Sequence, residues 1–342
     1  MRICTKALCA LLLLTISITS YSQDTTTESS RPKVGLVLSG GGAKGAAHIG
    51  VLKYIEEAGI PIDYIAGTSM GSIVGGMYAL GYTSDEILSI ISEVDWDRLI
   101  SDQVERKKIS YERKYESRSQ LLTIPFSVGT DKQELQSRSF KNSLPTGIVS
   151  GDNLINLFNS LSVGYSDPLD FNDLPTPFLC IATNVINGEA DVLNKGVFSK
   201  SLRASMAIPV LFDPVKIDDI LYADGGLVNN FPAEQCRAMG ADYVIGVSMS
   251  PGLESDPRNL SSVFSQVKQL KEIITDKDFG NYHKMCDIFI SPELNGVGML
   301  SFDSESVARI TASGYKAASE REAEFKALKE LLYADAAAVQ EE

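Results

Sequence analysis

Residues 67 to 71 read Gly67-Thr68-Ser69-Met70-Gly71 and stand between two apolar runs, Ile62 to Ala66 and Ile73 to Leu80. A short apolar run, a turn of small residues and a longer apolar run predict strand, sharp turn and helix. No other feature restricts the fold as much, because a strand feeding straight into a helix belongs to layered α/β architectures. It restricts chemistry as well. A serine on such a turn has its hydroxyl lifted clear of the sheet, and Gly67 and Gly71 let the backbone fold that tightly without side-chain clashes. The G-x-S-x-G spacing recurs by chance, so its weight comes from the strand-to-helix context.

A second junction of the same kind lies upstream. Val34 to Leu38 is a mostly apolar strand, followed by Ser39-Gly40-Gly41-Gly42-Ala43-Lys44-Gly45 and a helical pattern at Ala47, Val51, Ile55 and Ala58. Glycines there leave backbone N–H groups bare beside a helix N-terminus, a site for negative charge. For acyl transfer through a serine that charge is the oxyanion of the tetrahedral intermediate, and each donor aimed at it can contribute about 3 to 4 kcal/mol. Gly40, Gly42 and Gly45 also satisfy the dinucleotide spacing. That fingerprint expects an acidic residue where the second strand ends; Ala66-Gly67 stand there, with Asp63 at the strand's start. Lys44 is followed by glycine, which argues against a Walker loop.

A serine nucleophile needs a proton acceptor. The chain has two histidines, His48 and His283. His48 falls on the packed side of the first helix and reads as a partly buried helix residue. His283 sits in the polar stretch Tyr282-His283-Lys284, and the order Ser69, Asp224, His283 matches that of α/β-hydrolase triads. The stronger candidate is Asp224, at the end of the short strand in Leu221-Tyr222-Ala223-Asp224-Gly225-Gly226. An aspartate before two glycines is often only a turn residue; its company gives it weight.

In that order, Gly40 to Gly45, Gly67 to Gly71 and Asp224-Gly225-Gly226 resemble the patatin-like phospholipase family. Arg203-Ala204-Ser205-Met206-Ala207-Ile208-Pro209 resembles the stretch before that family's aspartate, and the likeness runs from Lys33 to Met249. It implies a three-layer α/β/α fold with a mainly parallel central sheet. It also implies a Ser-Asp dyad without histidine: Ser69 as nucleophile, Asp224 as general base, and Gly40, Gly41 and Gly42 as oxyanion hole. Gly67, Gly71 and Gly225 would shape the elbow and the aspartate turn. The expected activity is cleavage of lipid carboxylic esters, of phospholipase A or lysophospholipase type, through an acyl-enzyme and without cofactor or metal. Two alternatives stand beside it: a Ser-Asp-His esterase using His283, and a lipid-binding protein that keeps the fold but has lost turnover.

The first 22 residues read as an export signal. Arg2 and Lys6 precede the apolar run Ala7 to Ile18, and Ser20-Tyr21-Ser22 offers a cleavage site. The expectation is a periplasmic or outer-membrane-associated protein. Residues 23–32 form a polar linker, 33–300 the catalytic domain and 301–342 a helical segment that frays from Ala336. Some bacterial members of the family continue into an outer-membrane β-barrel. No alternating ten-residue strands are present here, so the chain reads as a stand-alone enzyme or as the catalytic part of something longer.

Loss of Arg2 and Lys6 takes the net charge from -13 to about -15, a poor surface for nucleic acid. Of five cysteines, Cys180, Cys236 and Cys286 remain after the leader and read as free thiols, with no metal-ligand spacing. Strands are expected at Val34 to Leu38, Ile62 to Ala66, Phe178 to Thr183, Ile220 to Ala223, Tyr243 to Met249 and Asp287 to Ile290. Thr83 to Glu86 reads as a capping box. The segment 101–150 breaks the rhythm with Arg106, Lys107, Lys108, Arg113, Lys114 and Arg118 among Tyr111 and Tyr115. It reads either as a solvated insertion or as a lid or lipid-facing loop meeting anionic head groups. Nothing in the sequence sets the oligomeric state.

Overall fold

Eight strands pair into one mixed sheet: β1 (Val34–Leu38), β2 (Tyr64–Thr68), β3 (Phe178–Asn184), β4 (Ala190–Leu193), β5 (Val215–Ile217), β6 (Ile220–Asp224), β7 (Tyr243–Val247) and β8 (Ile288–Ile290). The computed structural model describes residues 31–101, 147–165, 168–250, 256–261, 265–266, 269–270 and 281–334. The expected leader, nearly all of the linker, the basic cluster from Arg106 to Arg118 and the stretch from Ala336 lie outside the described residues. Pro32–Leu332 forms one compact unit; a second grouping, Met1–Arg31 with Tyr333–Glu342, is almost wholly undescribed.

The strands β8, β7, β1, β2 and β3 run parallel in that order. Alternation along each strand serves two cores. Val34, Leu36 and Leu38 of β1 face one side with Ile65, Phe178 and Cys180, while Val37 faces the other with Ala66, Leu179 and Ile181. The first side is covered by α1 (Ala47–Ala58), α2 (Met70–Ala79), α3 (Ser84–Glu93), α4 (Trp96–Ser101), α5 (Asp152–Leu161) and α6 (Phe198–Ser205). The second is covered by α7 (Ala233–Ala238) and α8 (Tyr282–Met285). The helices α9 (Ser304–Ser319) and α10 (Glu322–Leu332) return to the first side. This is the three-layer α/β/α arrangement expected from the sequence.

The helices after residue 300 are integral to the first layer. A Cβ on Gly50 of α1 would strike the Thr311 carbonyl, and one on Gly314 of α9 would strike that of Ala47, so the two helices pack backbone to backbone. The capping box forms as expected: Thr83 accepts from the Glu86 N–H and the Glu86 carboxylate accepts from the Thr83 N–H.

The strands differ from expectation in places: β4 and β5 fall outside the expected set, β7 stops at Val247 rather than Met249, and β2 is shifted at both ends. β2 starts at Tyr64 rather than Ile62 and runs on through Gly67 and Thr68. The Asp63 carboxylate accepts the Val34 N–H at 2.8 Å and an ion pair from Lys33 at 3.2 Å. That side-chain clamp anchors the chain just ahead of the strand. Gly67 instead pairs with Leu38 and Cys180, so the first two elbow residues are the last two of the strand.

Three strands pair with β3, which has only two edges. β2 lies against Phe178 to Ile181, β6 against Ala182 to Asn184, and β4 against Cys180 to Thr183. Since β4 overlaps both of the others, it must take the opposite edge. β2 and β6 therefore share one edge of β3 and meet tip to tip. Thr68 stands opposite Ile181 and Asp224 opposite its neighbour Ala182.

Candidate active site

Between the end of β2 at Thr68 and the start of α2 at Met70 there is one residue, Ser69, and it makes the whole turn. Its φ of 53° and ψ of -123° lie where L-residues are strained, at a cost of about 1–3 kcal/mol. The surroundings hold it there. Its N–H donates to Ser205 Oγ at 3.0 Å, and its carbonyl accepts the Ser72 N–H at 2.9 Å and Ser72 Oγ at 2.6 Å. Gly71 crosses the end of β1 so closely that a Cβ would strike the Leu38 carbonyl. A Cβ on Gly67 would come within 2.6 Å of the Gly71 carbonyl.

Asp224 ends β6. Its N–H donates to the Ala207 carbonyl at 2.9 Å, and its carbonyl accepts from Thr183 Oγ1 at 2.8 Å. The Gly226 N–H holds carboxylate Oδ1 at 2.7 Å, and Ser69 Oγ donates to Oδ2 at 2.7 Å. Gly225 lies against the Ile181 carbonyl with no room for a Cβ. Ser69 and Asp224 are nearly enclosed, 6% and 7% exposed. No imidazole stands between them. His283 lies exposed on the four-residue α8, which packs on α7, β7 and β8.

The glycine loop joins β1 to a 3-10 turn, Gly42–Ala46, that runs on into α1. Of the expected donors, Gly40 differs: its N–H already donates to Asn230 Oδ1 at 3.2 Å. Ala43 donates to the Met299 carbonyl at 2.8 Å. The N–H groups of Gly41 and Gly42 meet no acceptor among the described residues. Gly40 passes so near the elbow that a Cβ on it would come within 2.9 Å of Ser69 Cβ. His48, expected to be partly buried, is fully buried, with Nε2 2.8 Å from the Ser39 carbonyl; burial pushes its pKa down to about 4.

A cavity of about 200 Å³ opens beside Ser69. Apart from that serine and Gly42 its lining is apolar, including Met70, Ile73, Met206 and Phe212. Trp96 and Phe302 form part of the wall, stacked at 4.3 Å. Such a space suits a hydrocarbon chain and gives a charged group nothing to bind. Among the described residues no cluster of three or more His, Cys, Asp or Glu is placed to hold a metal. No described helix is long and apolar enough to cross a membrane.

Ser205, Asn230, Thr183 and the Trp96–Phe302 pair received no role from the sequence. Ser205 and Asn230 fall inside segments singled out for their composition, but a hydrogen bond to a residue 136 or 190 positions away leaves no local pattern.

A family model described as patatin-like phospholipase matches residues 36–237. A lysophospholipase NTE1 of Debaryomyces hansenii is 29% identical over 244 residues, which are 69% of this chain and 13% of that protein. An uncharacterized NTE family protein of Mycobacterium bovis is 30% identical over 229 residues, 67% of this chain and 52% of its own length. The chain thus spans only part of the relatives it matches. Among solved structures, VipD from Legionella pneumophila aligns with a TM-score of 0.49 at 16% identity, covering 87% of this chain and 67% of that one.

Proposed function

The chain belongs to the patatin-like phospholipase family, and from that premise we propose that it is a serine acyl hydrolase for phospholipid or lysophospholipid esters. One observation carries the reading: Ser69 Oγ donates to Asp224 Oδ2 at 2.7 Å, and the same serine helps to line an apolar cavity. In this mechanism Ser69 Oγ attacks the ester carbonyl carbon while its proton passes to Asp224 Oδ2. The oxyanion forms against the N–H groups of Gly41 and Gly42, at the positive end of the helical segment they open. Gly40, committed to Asn230, shapes the loop rather than donating to substrate. The carbon–oxygen bond then breaks, and the leaving alcohol takes the proton back from Asp224. Water, deprotonated by Asp224, attacks the acyl-enzyme, the fatty acid leaves, and the proton returns to Ser69.

The acyl chain occupies the apolar cavity. The lysophospholipase name carried by one relative supports lipid as the substrate class. Residues 1–22 direct export in this reading, and the basic stretch from Arg106 to Arg118 faces anionic lipid.

Ser69→Ala and Asp224→Asn, assayed on a short p-nitrophenyl ester and on phospholipid vesicles, should each lower turnover by about 10³-fold or more with the fold intact. An alkyl fluorophosphonate should add to wild type at Ser69 with loss of fluoride, read by intact mass. Turnover retained in either variant sinks the dyad. Silence of the wild type on both substrates favours a lipid-binding role instead.

A further inference from the structure

We propose that His48 is a positioning residue for the glycine loop, holding one face of the Ser39–Gly40 peptide so that the N–H groups of Gly41 and Gly42 stay aimed at the reacting oxygen. The proposal rests on the reading of that loop as the oxyanion site. Its basis is a single peptide plane gripped from both sides. The Ser39 carbonyl lies 2.8 Å from His48 Nε2, and the N–H of the same peptide donates to Asn230 Oδ1 at 3.2 Å. A peptide plane held at its carbonyl and at its N–H cannot rotate, because its atoms turn as one unit. The next peptide carries the Gly41 N–H, and Ser39 Oγ donates to its Gly40 carbonyl at 3.2 Å, so the residue gripped by His48 also steadies the donor-bearing plane. Glycines have no side chain to limit their own backbone, which makes such an external grip necessary.

The chemistry of His48 is defined by its partner. A carbonyl only accepts, so Nε2 carries the hydrogen and Nδ1 is a bare acceptor, one that finds no hydrogen-bond donor among the described residues. The imidazole is therefore neutral, and burial disfavours its protonation. A buried polar ring with one unsatisfied nitrogen is a costly way to fill a helix–sheet contact that leucine would fill better. What leucine lacks is the N–H toward Ser39. Ser39 is also tied to the other flank, where its N–H donates to the Val247 carbonyl at 3.1 Å and its Oγ accepts the Met249 N–H at 2.8 Å while donating to the Gly40 carbonyl. The loop's entry thus hangs between β7, Asn230 and α1, and His48 is the α1 attachment.

The test compares wild type, Ser69→Ala, His48→Gln, His48→Leu and His48→Asn on a soluble p-nitrophenyl ester, with thermal melts of each. Glutamine carries an amide N–H at about the reach of Nε2; asparagine stops short of it. Loss of the grip should lower kcat in the leucine and asparagine variants by about ten- to a hundredfold with KM little changed, as a misplacement near 1 Å would. Glutamine should restore kcat to within about threefold of wild type. The asparagine variant decides the matter if leucine does not fold. Wild-type kcat in the leucine or asparagine variant, or a glutamine variant as slow as they are, overturns the proposal. If wild-type turnover survives Ser69→Ala, the underlying enzyme reading has failed, and the proposal falls with it.

Discussion

Ser69 sits at a φ that its side chain disfavours, and its neighbours hold it there through Ser205 and the first turn of α2. His48, nine residues from Ser39 in sequence and fully buried, shows a different residue-scale cost. Its pKa falls from 6.5 to about 4 because the interior disfavours the cation. The unfolded chain takes up that proton near pH 6.5, while the folded one resists until about pH 4. Stability tied to His48 is thus fully present above pH 6.5 and is lost as the pH falls toward 4, by about 3 kcal/mol in all. Carboxylates titrate over the same range, so the comparison must be with His48→Gln. Urea midpoints of the two proteins between pH 7.5 and 4 should converge or cross, wild type losing ground as acid increases. A constant difference would mean that the ring is not buried in its neutral form.

Two strand tips make the site at the scale of elements. β2 and β6 approach each other along one edge of β3, and the Ser69–Asp224 contact lies where they meet. Gly225 is the tightest point of that junction, pressed against the Ile181 carbonyl. Gly225→Ala would force β6 away from β3 and move the carboxylate off the hydroxyl. The expected result is a kcat lower by about a hundredfold and a stability loss of about 1–3 kcal/mol from overpacking. Ester kinetics and chemical unfolding of the variant check both numbers. Normal kcat with reduced stability would mean that the aspartate is positioned by its own turn and not by the strand junction.

The molecule as a whole is acidic, with a net charge of -13, yet Arg106 to Arg118 gathers six cations. Local positive charge is worth about 1 kcal/mol per residue near an anionic surface and is screened by salt. Reversing Lys107, Lys108 and Lys114 to glutamate should therefore weaken sedimentation with anionic vesicles by at least about a hundredfold at low salt. Hydrolysis of a soluble ester should not change. An unchanged vesicle affinity would assign that segment to solvent.

Much of the fold and the candidate residues could be read from the chain because they rest on short-range physics. Alternating apolar strands, glycines at strand-to-helix turns and a capping box act within a few residues, so local pattern indicated the layers and singled out Ser69, while Asp224 drew its weight from the family resemblance. The start of β2 escaped that reading because Asp63 is anchored by Lys33 and the Val34 backbone rather than by a neighbour in sequence. What tertiary structure alone decided is which distant groups meet. Register along β3 brings Asp224 to Ser69 across 155 positions, Asn230 occupies the Gly40 N–H, and Ser205 grips the elbow. A hydrogen bond needs distance and angle to be right at once, and only the packed sheet sets those for residues far apart in the chain.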